Sequence, residues 1–154
     1  MKKLSLFVAS LCAAVVAMSA ESTGPEILKN NKWQPNKAKI AVTEKGLEIS
    51  RIANKGAWIV AHNFKAEPGA TYLLEAEVQN IPAKTGVNLR VRMGKETKSF
   101  QNTSKDLKTL VVKAEFTAPA EAVKNSDVSL WVSMPADCKE KVLISKCSLK
   151  KVIK

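Results

Sequence analysis

Residues 68–80, which read Pro-Gly-Ala-Thr-Tyr-Leu-Leu-Glu-Ala-Glu-Val-Gln-Asn, decide the fold. From Tyr72 onward the chain alternates, with apolar side chains at positions 72, 74, 76 and 78 and mostly polar ones between them. A Pro-Gly turn precedes this run and Asn-Ile-Pro follows it. Alternation with a period of two, bounded by turn residues, predicts an antiparallel strand with one buried face.

The same pattern recurs on both sides of this strand. Further strands are predicted over residues 39–43, 47–52, 57–64, 86–93, 96–101, 107–116, 128–134 and 142–153. Gly46 lies in the turn between the first two of these, where a positive φ is expected. Short strands at roughly ten-residue intervals, with no long amphipathic helix, predict an all-β protein. We therefore expect a single two-sheet antiparallel β-sandwich, a jelly roll.

The first residues have the features of an export signal. Lys2 and Lys3 precede an uncharged apolar run that ends at Met18, and the small residues Ser19 and Ala20 follow. This pattern predicts a cleaved signal peptide of bacterial type over residues 1–20, because the run is shorter than the roughly 20 residues of a membrane span. We expect an exported protein, periplasmic or extracellular. Residues 21–37 form a Pro-, Asn- and Lys-rich leading segment, and residues 38–154 form the sandwich domain.

The chain is strongly basic. It contains 25 Lys and Arg residues against 14 Asp and Glu, and loss of the signal peptide lowers its formal charge from +11 to +9. Such a charge favours an anionic partner, such as an acidic glycan, although the spread of the lysines along the chain also fits a role in solubility alone. We expect no nucleic-acid partner, because no basic stripe with interleaved aromatic residues is present.

Two cysteines, Cys138 and Cys147, remain after the signal peptide. An oxidising compartment permits a disulfide. An extended strand between them would place their Cα atoms roughly 20–30 Å apart, whereas a disulfide needs about 7 Å or less. The sequence leaves both states open, since a bend or bulge would be needed to join them.

Trp131 is the strongest candidate for a binding residue. Its neighbours Leu130 and Val132 occupy the inward face of their strand, which leaves Trp131 outward with Ser129 and Ser133. A large aromatic ring on a polar face usually marks a contact surface. The alternative is a structural ring that is covered by a loop.

Asn88, Arg90 and Arg92 form the polar face of another strand. Arginine can hydrogen-bond hydroxyl groups or pair bidentately with carboxylate or sulfate. These three residues are therefore candidates for ligand binding, with plain solvation as the alternative.

Catalysis has little support. Glu75 and Glu77 lie about 6–7 Å apart on one strand face, a spacing found in glycosidases, but nearby lysines would keep them ionised. His62 is the only histidine, so neither a catalytic triad nor a histidine metal cluster is expected, and we predict a buried, hydrogen-bonded ring. Trp33 is expected to plug one end of the sandwich rather than to form a second contact ring. We predict no enzyme, no metal and no cofactor.

The order of strands resembles a known family. The features are Pro-Gly-x-Thr-Tyr at 68–72, Val-Asn-Leu-Arg-Val-Arg-Met-Gly at 87–94, a strand leading into Thr-Ala-Pro at 117–119, and the terminal strand to Val152. From Gly69 onward the chain resembles the carbohydrate-binding-module jelly rolls of the galactose-binding-like group. Many relatives carry Ile-Asp-Asp-Val in the last strand, where an acid can ligate calcium. The equivalent Ile144-Ser145-Lys146-Cys147 lacks that carboxylate, so we expect no calcium site.

The leading hypothesis is an exported single-domain β-sandwich that binds a glycan without catalysis. Trp131 would stack on the sugar, and Asn88, Arg90 and Arg92 would hold polar or anionic groups. The alternative is a structural or protein-interaction module of the cell envelope with no sugar ligand, since a small one-domain protein suits either role.

Overall fold

The computed structural model describes residues 22–52, 57–104, 107–121, 125–133 and 137–153. The predicted signal peptide lies outside these ranges. The described residues form one turn of 3-10 helix, Asn30–Lys32, and eleven strands: β1 Ser22–Glu26, β2 Gln34–Asn36, β3 Ala38–Thr43, β4 Gly46–Arg51, β5 Ala57–Phe64, β6 Thr71–Gln79, β7 Gly86–Met93, β8 Glu96–Gln101, β9 Leu110–Thr117, β10 Ser126–Ser133 and β11 Val142–Ile153. No helix within these ranges is long and apolar enough to cross a membrane.

The strands form two antiparallel sheets, which confirms the predicted all-β sandwich. Sheet A has the order β3-β4-β11-β6-β9, and β1 pairs with the free edge of β11 beyond β4. Sheet B has the order β2-β5-β10-β7-β8. The central strands β11 and β6 of sheet A lie far apart in sequence, as do β5, β10 and β7 of sheet B, so the fold depends on long-range pairing.

The core lies between the two sheets and follows the predicted alternation. In β6, the residues Tyr72, Leu74, Ala76 and Val78 are all buried, whereas every second residue between them is only partly buried. Sheet B supplies the other half of the core through residues such as Leu130, which is fully buried. Removal of this apolar surface from water stabilises the sandwich.

A bulge interrupts β11. Ile144 pairs with Val78, but the next paired residue, Lys146, lies opposite Glu77, which leaves Ser145 as an extra residue. The bulge shifts the alternation by one, so that both Ile144 and Cys147 pack against the core although they are three residues apart. Cys138 and Cys147 are both free thiols in the structure.

The leading segment supplies an edge strand to each sheet: β1 pairs with β11, and β2 pairs with β5. The segment shows no alternation in sequence because both strands are largely exposed and neither has to bury a full face.

His62 of β5 holds the connection between β1 and β2. The backbone N–H of Lys29 donates to His62 Nε2 at 3.0 Å, and His62 Nδ1 lies 2.9 Å from the Asn63 carbonyl oxygen. The Trp33 ring packs edge-on against His62, with 5.6 Å between ring centroids. Both side chains are buried, which confirms the expected hydrogen-bonded histidine and places Trp33 in the core, away from any contact surface.

Candidate functional site

The outer face of sheet B brings the predicted binding residues together. In β10, the inward side chains of Val128, Leu130 and Val132 are buried, so Asp127, Ser129, Trp131 and Ser133 lie on the other side of the strand. Cross-strand pairing sets Trp131 beside Asn88 of β7 and Ile59 of β5, and it sets Ser129 beside Arg90. We call this outer surface of strands β2, β5, β10, β7 and β8 the Trp131 face.

Trp131 is the large aromatic ring on this face. Its relative exposure is 39%, whereas the other two tryptophans, Trp33 and Trp58, are buried. The Cζ atom of Arg90 lies 4.3 Å from the centroid of the Trp131 ring, a cation–π contact. Arg90 thus covers part of the indole and restricts its orientation, while the remainder of the ring is open to solvent.

Arg92 has a partner that the sequence analysis did not identify. Its Nε and Nη2 atoms lie 2.7 Å and 2.6 Å from the same carboxylate oxygen of Asp127, which is directly opposite it in the sheet. The Asp127 side chain is 10% exposed, against 52% for Arg92. The guanidinium is therefore committed to a partly buried ion pair. Asp127 falls in the alternating phase of Ser129 and Trp131, and that phase was the signal that could have revealed it.

Two hollows lie along this face, one toward each end of β10. The first, about 330 Å³, reaches Ser133 and Gly86 and is lined by Asn88, Gln101 and Asn102. The second, about 260 Å³, reaches Asp127 and Arg92 at the other end. Trp131 and Arg90 line both hollows and stand between them. From Asp127 to Ser133 the strand extends roughly 20 Å, so the two hollows together form an elongated open surface.

Two buried polar atoms beside Trp131 lack hydrogen-bond partners among the described residues. They are Asn88 Oδ1 and Arg90 Nε. Such atoms are uncommon in folded proteins, because loss of solvation without a replacement hydrogen bond costs free energy. Both belong to side chains that line the first hollow.

Glu75 and Glu77 lie on the opposite side of the molecule, on the outer face of sheet A. Glu75 contacts Lys146 Nζ at 3.2 Å and Lys113 Nζ at 3.8 Å. The hydrogen bond from Lys146, supported by the charge of Lys113, lowers the pKa of Glu75. The lysines that were expected near Glu75 are thus in contact with it. Glu77 accepts a hydrogen bond from the amide of Gln79. Glu75, with its lowered pKa, is not the raised-pKa acid that a glycosidase requires.

The run Ile144-Ser145-Lys146-Cys147, which lacks the carboxylate of a calcium site, has a structural role. Ser145 is the bulged residue of β11, and its hydroxyl donates to the Glu77 carbonyl oxygen at 3.3 Å. Within the ranges that the structure describes, no three His, Cys, Asp or Glu side chains form a cluster that could hold a metal ion.

Comparison with known proteins identifies the fold. No protein-family model matches the chain, and no curated protein sequence matches it. Among solved structures, TmCBM61 in complex with β-1,4-galactotriose superposes with a TM-score of 0.59 at 12% identity, over 83% of this chain and 99% of that one. A xylanase 10B fragment from Clostridium thermocellum, with CBM22-1 and GH10 modules and bound xylohexaose, gives 0.59 at 11% identity, over 85% of this chain and 28% of that one.

The chain has a carbohydrate-binding-module-like jelly-roll fold, as the resemblance predicted. The same fold also occurs elsewhere. A Stig cyclase from Fischerella sp. TAU superposes with a TM-score of 0.54 at 10% identity, over 82% of this chain and 88% of that one. At these identities the likeness establishes the fold, and function has to be argued from the site.

Proposed function

We propose that this protein binds a glycan, without catalysis, on the Trp131 face. The observation that carries the proposal is the position of Trp131: a partly exposed indole, held by Arg90, between two hollows lined by amide and hydroxyl groups. Ligand sites generally combine apolar or aromatic surface with a few placed polar groups. The carbohydrate-binding modules that share the fold support the same class of ligand.

The chemistry of the face matches that of a sugar ring. A pyranose has an apolar surface of C–H groups, which can pack on the exposed part of the indole, and a rim of hydroxyl groups. Asn88 and Gln101 line the first hollow, and amide side chains can both donate hydrogen bonds to and accept them from sugar hydroxyl groups. The elongated surface suits an oligosaccharide better than a single sugar.

The remaining parts of the proposal are export and absence of catalysis. Export rests on the basic start, apolar run and small-residue end of residues 1–20. Absence of catalysis is supported by Glu75, whose ion pairs with Lys113 and Lys146 favour the charged carboxylate, on the sheet opposite to Trp131.

A glycan array with matched variants tests the proposal. Residues 21–154 of the wild type, Trp131→Ala and Val111→Ala would be applied at near-physiological and at high salt. Val111 is the control, because it is an exposed apolar residue, 71% accessible, on the outer face of sheet A. We expect the wild type and Val111→Ala to bind one class of sugar at both salt concentrations.

In the same experiment Trp131→Ala should lose binding, while its melting temperature stays within a few degrees of the wild type, since the side chain is substantially exposed. Equal binding by Trp131→Ala would contradict the site. An array without any signal would contradict glycan binding itself and favour the alternative of an envelope protein partner.

A further inference from the structure

We infer that the Trp131 face selects uncharged glycans, and that Asp127 sets this selectivity by holding Arg92. The inference rests on the proposed function and specifies its ligand class. It runs against the simple expectation from net charge, which favours an acidic glycan for so basic a chain.

The Trp131 face is almost uncharged. Its described side chains include only two cations and one anion, Arg90, Arg92 and Asp127. All other outward positions are neutral: Gln34, Asn36, Ala57, Ile59, Ala61, Asn63, Gly86, Asn88, Thr97, Ser99, Gln101, Ser129, Trp131 and Ser133. The positive charge of the chain is therefore carried by other surfaces, where several lysines are paired with Glu48, Glu67 and Glu75.

Each arginine of the face has part of its guanidinium engaged within the protein. Strong recognition of a carboxylate uses two parallel N–H donors of one guanidinium. Arg92 directs its Nε and Nη2 groups at Asp127, and Arg90 places its guanidinium over the Trp131 ring with its Nε buried. The Asp127 carboxylate also lines the second hollow, where it would repel the acid group of a uronate.

The hydroxyl groups of a neutral sugar would not be repelled by Asp127. Asn63, Thr97 and Ser129 line the second hollow and can each donate to or accept from a hydroxyl group. Asn88 and Gln101 do the same in the first hollow, whereas the Asn102 amide is already hydrogen-bonded to the backbone. A neutral glycan can therefore form hydrogen bonds at both ends of the face. A polyuronate would bring repeated negative charge to a site where Asp127 offsets the charge of Arg92.

Replacement of Asp127 tests the inference. Asp127→Asn keeps the shape of the side chain but removes its charge, which weakens the contact with the Arg92 guanidinium and raises the net charge of the hollow. The probes are four neutral polysaccharides, β-1,4-galactan, unsubstituted β-1,4-xylan, β-1,4-glucan and mannan, and two polyuronates, polygalacturonate and alginate. Affinity electrophoresis at low and high salt would compare the wild type, Asp127→Asn, Asp127→Asn/Arg92→Gln and Trp131→Ala, with melting temperatures as the folding control.

We expect the wild type to bind a neutral polysaccharide at both salt concentrations and neither polyuronate at high salt. Asp127→Asn should gain about tenfold in polyuronate affinity, roughly the value of one charge-assisted hydrogen bond. The added Arg92→Gln change should remove that gain. If the gain in polyuronate affinity of Asp127→Asn came only from its higher net charge, high salt would abolish that gain.

The outcomes separate this inference from the proposed function. If the wild type binds a polyuronate at high salt and Trp131→Ala does not, the glycan site stands and its selectivity for neutral sugars is wrong. If neutral binding is found but a folded Asp127→Asn protein gains no polyuronate affinity, the role of Asp127 is wrong. If no probe binds the wild type, the proposed function and the inference are both overturned.

Discussion

At the scale of single residues, alternation predicted orientation but could not predict partners. The outward position of Trp131 follows from Leu130 and Val132, and the structure confirms it. The contact between Arg90 and Trp131 depends on the register between β7 and β10, which no local pattern specifies. Asp127 was missed for a related reason: the sequence of residues 117–127 indicates a connection between two strands, whereas β10 begins within it, at Ser126.

The Cys147 thiol should be unreactive in the native protein. Burial raises the pKa of its thiol to about 12, and the nearby Glu26 carboxylate adds to the shift. Since only the thiolate is nucleophilic, Cys147 should resist iodoacetamide at pH 8 in the native protein and react once urea unfolds it. Mass spectrometry of the modified peptides measures this. Rapid native modification of Cys147 would contradict its placement behind the bulge of β11.

At the scale of elements, alternation in the sequence predicted the buried strands but not the edge strands of the two sheets. Buried strands such as β6 and β10 have to alternate, so their sequences reveal them. The edge strands β1 and β2 carry no such constraint and become visible only through their partners β11 and β5. The bulge at Ser145 was equally hidden, because it is defined by pairing with Glu77 rather than by a local motif.

The turn between β3 and β4 provides a test with a matched control. Gly46 has the positive φ expected from the sequence, 128°, and a Cβ atom there would collide with the Ile144 carbonyl oxygen of the neighbouring strand β11. Gly69 also has a positive φ, 70°, but a Cβ atom there would meet nothing within 4 Å.

We expect Gly69→Ala to lower the free energy of unfolding by about 1 kcal/mol, the cost of the left-handed conformation alone. Gly46→Ala should lower it by about 3 kcal/mol or more, because backbone strain and a backbone clash act together. Urea unfolding of both variants measures the difference. Equal losses would show that Gly46 is not packed against β11 as described.

His62 of β5, which contacts the leading segment, should make the stability of the protein depend on pH. Desolvation lowers the pKa of His62 below 6.5, and the charge of Lys32 acts in the same direction, against opposing backbone hydrogen bonds. The unfolded chain therefore binds a proton at His62 more readily than the folded chain does. The contribution of neutral His62 to the free energy of unfolding should be fully present above about pH 6.5. It should be lost as the pH is lowered from there through the pKa of His62 in the folded protein.

Melting temperatures between pH 7.5 and 5.0 check this, with His62→Gln as the comparison. Glutamine can still accept from the Lys29 N–H but does not titrate, so its curve should be flatter over this range. The ionised carboxylates, Glu75 among them, contribute their own loss mainly at lower pH. Parallel curves for the two proteins would contradict the assigned role of His62.

At the scale of the whole molecule, the two outer surfaces differ in character. The outer face of sheet A carries ion pairs such as Glu75–Lys146 and Glu48–Lys141, and the Trp131 face of sheet B is nearly neutral around one exposed indole. The sandwich could be predicted from periodicity because a core imposes it on every central strand. The site could be predicted only in part, because its geometry arises from the order β5-β10-β7, which joins distant segments of the chain.

An NMR titration of the three indole N–H signals shows whether a glycan binds on the Trp131 face. Trp33 and Trp58 are buried and serve as internal controls, whereas Trp131 is exposed. The titrant is the neutral oligosaccharide selected by the glycan array. We predict that the Trp131 indole signal shifts saturably and that the Trp33 and Trp58 signals move little. An unchanged Trp131 indole signal at an oligosaccharide concentration that saturates binding would contradict glycan binding on this face.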